Sequence, residues 1–165
     1  ASEDGGTLSM HSSHQNGLDA DVAYLRANHV EHDPDERGDL GFEEHFVRSK
    51  KVTKNFDQRR NWFLLKSIVA RGNISRIFVD AEIKRLFCQK SAKLDPNSTN
   101  EMRTEVLRRL RPYPDHDDHF HMRVKCPRTS PQCLNQVELP PGSGCGQIDD
   151  LVDFDEHDEL RGSIE

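Results

Sequence analysis

The sequence predicts an α+β fold: a small central antiparallel sheet that carries the functional site, flanked by helices and long loops. Three observations predict it. Runs that read as helix stand near 57–70, 81–88 and 98–110, the first and third with start signals. Short alternating or β-rich runs lie at 18–25, 77–79 and 120–124. The two kinds of run do not follow one another as regular βαβ units, which excludes a doubly wound parallel sheet.

Residues 1–13 are rich in Gly and Ser and read as loop. Leu18 to Leu25 alternates loosely as a strand, with Asp19, Asp21 and Ala23 on one face. Residues 29–44 are acidic, carry Pro34, Gly38 and Gly41, and read as a long surface loop. Asn55 or Asp57 caps a helix running to about Ala70, with Gly72 past its end and Trp62, Leu65 and Val69 on its apolar face. Ile77-Phe78-Val79 is a short β-rich run, and Ala81 to Cys88 reads as helix through Ile83, Leu86 and Phe87. Ser98-Thr99-Asn100-Glu101 is a capping box that opens a helix through Leu110, which Pro112 and Pro114 stop. Phe120 to Val124 alternates as a strand, with Phe120, Met122 and Val124 facing one way and His119, His121 and Arg123 the other. Pro140 to Gly144 is a turn-rich loop.

The 165 residues fit one domain over 1–150 with an acidic tail over 151–165, and no internal repeat is visible. A hydrophobic fraction of 33% against 32% charged residues implies a small core carrying long polar loops. The net charge of −6, with no basic stripe interleaved with aromatics, excludes a nucleic-acid binder. No apolar run approaches the ~20 residues of a membrane span. The chain starts at Ala1 without Met, as a mature or shortened form does, so its start is silent on compartment.

The chemistry concentrates in two stretches: His116-Asp117-Asp118-His119-Phe120-His121, and far earlier Ser13-His14-Gln15-Asn16-Gly17-Leu18-Asp19-Ala20-Asp21. On a strand, His119 and His121 share a face. A loop entering a strand can fold His14 back beside Asp21. Two His and one carboxylate leave a fourth position open, the pattern of a catalytic rather than a structural zinc. Such a zinc polarises a carbonyl and lowers the pKa of its water from about 16 to about 7. His14, Asp21 and His121 are the candidate ligands. His119 is the first choice for the proton-transferring base because it shares a strand face with His121. Asp118 ranks second because alternation points it away, and His116 lies in a bend after Pro114 where it can orient the base or meet substrate. Asp19 is either a partner for a ligand His or a solvated carboxylate. Arg123 is either an exposed strand residue or a contact for a substrate carboxylate. His29, His32 and His157 lie in acidic segments that read as exposed.

Four cysteines, with no closely spaced pairs of the zinc-ribbon kind, leave disulfides or free thiols. Cys126 and Cys133 bracket a Pro-rich turn that a disulfide closes easily. Cys145, between Gly144 and Gly146, needs a distant partner, which leaves Cys88. Two disulfides imply an oxidising compartment, whereas four reduced thiols imply the cytosol.

The Ser13–Asp21 stretch, Arg76-Ile77-Phe78-Val79 with Ile83-Lys84 and Cys88, His116 through His121 with Arg123 and Cys126-Pro127, and Leu139 through Gly146 together resemble the penicillin-insensitive murein endopeptidase family. The resemblance runs over about residues 5–150, in order. It implies kinship with lysostaphin-type and D-Ala-D-Ala zinc peptidases, and a small antiparallel sheet holding the metal. It makes His14, Asp21 and His121 the zinc ligands, His119 and His116 active-site histidines, and His11 the match to a His that binds a second metal in the family. The loop holding His29, His32, Asp33, Asp35 and His45 contains no clear match to that metal's other ligands, so one zinc is expected and the second is left open. In the related D-Ala-D-Ala peptidases an acidic base stands where Asp118 stands. The resemblance pairs Cys88 with Cys145 and Cys126 with Cys133, while a further Cys pair and much of the family's N-terminal region have no counterpart here.

The expected function is therefore zinc-dependent hydrolysis of peptidoglycan cross-link peptides, at a D-Ala–diaminopimelate bond, through a zinc-activated water in a periplasmic or secreted protein. The alternatives are a D,D-carboxypeptidase of the same group, and a non-catalytic cell-wall binding module with a zinc. A secreted toxin with the same chemistry differs in role alone. The oligomeric state is not legible.

Overall fold

The structure, a computed structural model, describes residues 17–32, 42 and 44–149. The expectations for residues 1–13, for His11, His14, Asp33, Asp35 and His157, and for the tail over 151–165 lie outside them.

The described chain runs β1 (Asp19–Ala23), β2 (Val47–Arg48), β3 (Lys51–Val52), α1 (Gln58–Ala70), β4 (Ile74–Val79), α2 (Ala81–Leu94), α3 (Asn100–Arg109), β5 (Leu110–Pro112) and β6 (His119–Val124). The class is α+β, as expected. The main sheet has the order β1-β6-β4-β5. Strand β6 pairs antiparallel with both β1 and β4, but β5 lies parallel to β4. The sheet is thus mixed rather than antiparallel. The cause is the connection: β4 returns to β5 through two helices, and a crossover of that length permits a parallel neighbour where a hairpin does not. Pro112 is tolerated because β5 is an edge strand.

Local chemistry sets the helix ends. The Asp57 carboxylate accepts from the Arg60 N–H at 2.9 Å and starts α1, and Gly72 follows its end at φ +80°. Asp80 starts α2, accepting from the Glu82 N–H at 2.6 Å. This helix continues six residues past Cys88 to Leu94, on Ser91 buried at its inner face. The cap of α3 is Thr99, whose hydroxyl accepts from the Met102 N–H at 3.2 Å, rather than Ser98. The helix passes into β5 with no loop between, because Leu110 is both its C-cap and the first strand residue.

One face of the sheet is apolar. Phe120, Ile77, Val79, Ile74 and Leu110 pack with Trp62, Leu65 and Val69 of α1, Ile83 and Phe87 of α2, and Val106 and Leu107 of α3. A run of edge and tilted ring contacts leads from Phe120 through Tyr24 (5.7 Å) and Phe56 (5.1 Å) to Phe87 (6.0 Å) and Trp62 (5.5 Å). The apolar face orders the strands, and with them the polar residues and Phe78 on the opposite face. Both expected disulfides, Cys88–Cys145 and Cys126–Cys133, are present. The first ties the segment after β6 to α2.

Candidate metal and catalytic site

Register builds the site. In β1 and β6, Asp19 stands opposite Arg123, Asp21 opposite His121, and Ala23 opposite His119. His121 also stands opposite Phe78 of β4, and Phe78 beside Arg111 of β5. With a side-chain period of two, the face away from the helices therefore carries Asp19, Asp21, His119, His121 and Arg123 together, although the two strands lie far apart in sequence.

His121 lies between two carboxylates. Its Nε2 lies 2.7 Å from Asp19 Oδ1 and its Nδ1 lies 3.5 Å from Asp21 Oδ1. An ionised carboxylate only accepts, so Nε2 carries a proton toward Asp19, and a ring with its one proton there presents its Nδ1 lone pair on the Asp21 side. Two ligands about 2.0 Å from a tetrahedral zinc stand about 3.3 Å apart. The separation of His121 Nδ1 from Asp21 is close to that edge, so these two residues fit a zinc. Among the described residues no group of three His, Cys, Asp or Glu is arranged to hold a metal. The third expected donor, His14, lies outside the described residues.

Asp19 has a fully buried side chain and joins His121 to Arg123. It accepts from Arg123 Nε at 2.6 Å and Nη2 at 3.3 Å as well as from His121. Burial works to raise its carboxyl, but the hydrogen bonds from His121 and Arg123 outweigh it and hold the group below the usual range. Of the two readings of Asp19, the partner to His121 stands. Neither reading of Arg123 does: its side chain is mostly buried and engages Asp19, because the register puts the two residues directly opposite.

His119 is fixed along its edges by carboxylates. Nδ1 donates to Asp118 Oδ1 at 2.5 Å, and Nε2 lies 3.8 Å from Asp21 Oδ1. Asp118 thus reaches the site, contrary to the expectation from alternation, because it precedes β6 and its carboxylate folds onto the next residue. Burial raises the Asp118 carboxyl, and the bond from His119 more than reverses this, leaving it lowered.

His116 enters from the turn after Pro114, where Asp115 takes φ +57°, a conformation Asp tolerates. Its Nδ1 donates to the Pro114 carbonyl at 2.6 Å. Its backbone carbonyl accepts from the Tyr24 hydroxyl at 3.2 Å and the Asp80 N–H at 3.0 Å. Its ring lies against those of His119 (4.9 Å), His121 (6.1 Å) and Tyr113 (5.4 Å). Among the described residues its Nε2 is buried with no hydrogen-bond partner. An orphaned acceptor beside Asp21 and His121 is the chemistry of a site built for a further group.

Burial pushes the His116 imidazole down to about 4. At pH 7 both folded and unfolded forms are neutral. Between an unfolded value of about 6.5 and the folded value, only the unfolded chain takes the proton, so stability falls as pH falls. The expected loss in metal-free protein is about 3 kcal/mol by pH 4, flattening below. Urea unfolding at pH 7 and 4.5 checks it: His116→Gln is expected to remove this part of the slope, and an unchanged slope would refute the account.

Several site residues escaped the sequence. Tyr24 and Asp80 hold His116 through backbone bonds that carry no sequence signal. Phe42, in the acidic loop, lies with its ring 4.8 Å from that of His119. His45 bonds Asp117 at 2.9 Å, which holds its imidazole above the ordinary value, and the Phe46 N–H donates to the Asp117 carbonyl at 2.7 Å. His29 is exposed as expected, but His32 is not: its Nε2 bonds the Tyr24 carbonyl at 3.0 Å.

The chain is similar to known proteins over most of its length. The family model described as penicillin-insensitive murein endopeptidase matches residues 1–159. Proteins of that name are similar to the chain. The one from Haemophilus influenzae is 32% identical over 143 residues, covering 84% of this chain and 46% of its own length. That from Yersinia pestis is 31% identical over 143 residues, covering 86% and 49%. That from Escherichia coli O157:H7 is 31% identical over 140 residues, covering 82% and 46%. The chain spans about half the length of the curated relatives it matches. On the match across nearly all of its residues, the chain belongs to the penicillin-insensitive murein endopeptidase family.

Proposed function

We propose that the protein is a zinc-dependent endopeptidase that cuts peptide cross-links of peptidoglycan, with the D-Ala–diaminopimelate bond as its target. The observation that carries this is the His121–Asp21 pair at 3.5 Å, with His121 turned by Asp19 so that Nδ1 faces the carboxylate. The names of the family's curated members support the substrate class. Asp21, His121 and His14 are the residues to hold the metal. When bound, zinc supplies a Lewis acid for the scissile carbonyl and a water acidic enough to ionise near pH 7.

The chain's own residues do the rest. Asp118 keeps the His119 proton on Nδ1, so Nε2 is the lone pair that faces the Asp21 side. His119 takes a proton there from the attacking water and returns it to the leaving amine, a role worth about 10²–10⁴-fold. Asp118, bonded to Nδ1, orients this base instead of acting as one. His116, neutral with Nδ1 engaged by Pro114, offers Nε2 as an acceptor. The hydrophobic wall of Phe78, 5.3 Å from the His121 ring, keeps water from that side. Two disulfides suit a periplasmic or secreted protein, and among the described residues no helix is long and apolar enough to cross a membrane.

Mass analysis of purified cross-linked muropeptides, digested by zinc-loaded protein and by a chelated control, tests the proposal. The expected result is chelator-sensitive, penicillin-resistant conversion of dimers to monomers, with the cut bond read from product mass. Release of terminal D-Ala alone would make the protein a carboxypeptidase. No conversion with tightly bound zinc would leave a binding module.

A further inference from the structure

Among the described residues, two carboxylates and two rings stand next to the His119 ring, and the reading of it as the base uses only the carboxylates. The His116 ring stands at 4.9 Å with the planes tilted 35°, and the Phe42 ring at 4.8 Å with a tilt of 31°. Phe42 is half-buried and stands outside the apolar core under the sheet. Its placement is nevertheless anchored. Two residues on, Glu44 accepts from Asn55 Nδ2 at 3.0 Å through both oxygens and pairs with Arg26 at 2.9 Å. His45 and Phe46 then bond the side chain and the carbonyl of Asp117. The segment after Phe42 is thus fastened to the same turn that delivers His116 and His119.

We propose that Phe42 is a positioning residue: its ring confines the His119 imidazole so that Nε2 stays aimed at the Asp21 side. The inference rests on His119 being the base. An imidazole held only by one hydrogen bond to a neighbouring side chain still turns about both of its torsions. A flat ring packed against it restricts the tilt while leaving the Nδ1 bond to Asp118 intact and Nε2 open for chemistry. Misplacement by about 1 Å costs on the order of 10²-fold in rate, so loss of the ring acts on turnover rather than on substrate binding.

The experiment compares wild type, Phe42→Ala and Phe42→Tyr, zinc-loaded, by muropeptide kinetics and by NMR of the His119 ring protons, assigned with His119→Ala. Phe42→Ala is expected to lower kcat about 10–100-fold with KM within about twofold and zinc affinity unchanged. Phe42→Tyr, which keeps the ring, is expected to restore kcat to within about twofold of wild type. In the spectra, Phe42→Ala moves the His119 resonances downfield as the ring current is lost, and Phe42→Tyr returns them. An unchanged kcat, or a raised KM at unchanged kcat, overturns the positioning role, the latter by making Phe42 a substrate contact. Unmoved resonances overturn it as well. A wild type that cuts nothing refutes the proposed function instead, and the spectra still decide whether Phe42 confines His119.

Discussion

Replacing His119 by Ala is expected to leave zinc affinity near that of the wild type and to lower turnover about 10²–10⁴-fold. Replacing His121 by Ala is expected to remove both. The two residues share a strand face and stand two apart, yet their nitrogens face different partners. His121 gives Nε2 to the buried Asp19 and turns Nδ1 to Asp21 at ligand spacing. His119 gives Nδ1 to Asp118 and leaves Nε2 at 3.8 Å from Asp21, against 3.5 Å for His121 Nδ1. Zinc titration against a competing chelator, beside muropeptide turnover, separates the roles. A fully active His119→Ala protein would remove the base assignment. A His119→Ala protein that loses zinc would make His119 a ligand.

This division was half legible. The period of two in His119–Phe120–His121 put both rings on one face, and the site lies on that face. The expected strands and helices and the Cys126–Cys133 pair were carried by signals within a few residues of each other, whereas the Cys88–Cys145 pair, 57 residues apart, rested on the count of cysteines and the family resemblance. What failed depends on partners far along the chain. Asp19 and Arg123 both lie on runs that alternate correctly, but only the strand register makes them opposite, and no local pattern encodes a register. Arg123 accordingly reads as a surface or substrate residue when its partner is out of view. β5 disappeared because its three residues continue a helix without a break, so a helical period and two prolines described the run more simply. The β2–β3 hairpin turns at Ser49 and Lys50, both with positive φ. The usual Asn-Gly or Asp-Gly signal of that turn is missing. Phe42 sits in an acidic loop, where a single aromatic residue says nothing until the chain folds back over His119.

Asp19 is where fold and chemistry depend most on one side chain. Asp19→Ala is expected to weaken zinc binding about 10–100-fold and to destabilise the metal-free protein by about 3–5 kcal/mol. The first effect arises because the carboxylate fixes which nitrogen of His121 carries the proton and which way the ring points. The second arises because Arg123, largely buried, is left without its partner, and an uncompensated buried charge costs more than the pair contributes. The two effects separate in the double variant Asp19→Ala/Arg123→Met. Removing the guanidinium relieves the stranded charge and recovers most of the stability, but it cannot orient His121, so zinc affinity stays low. Urea unfolding and zinc titration on the three variants measure both quantities. Recovery of zinc affinity in the double variant would mean that Asp19 acts on the metal through Arg123 and the strand pairing rather than through the His121 ring. Wild-type affinity in Asp19→Ala alone would mean that the β-strand backbone already fixes the ring, and that Asp19 serves only to neutralise Arg123.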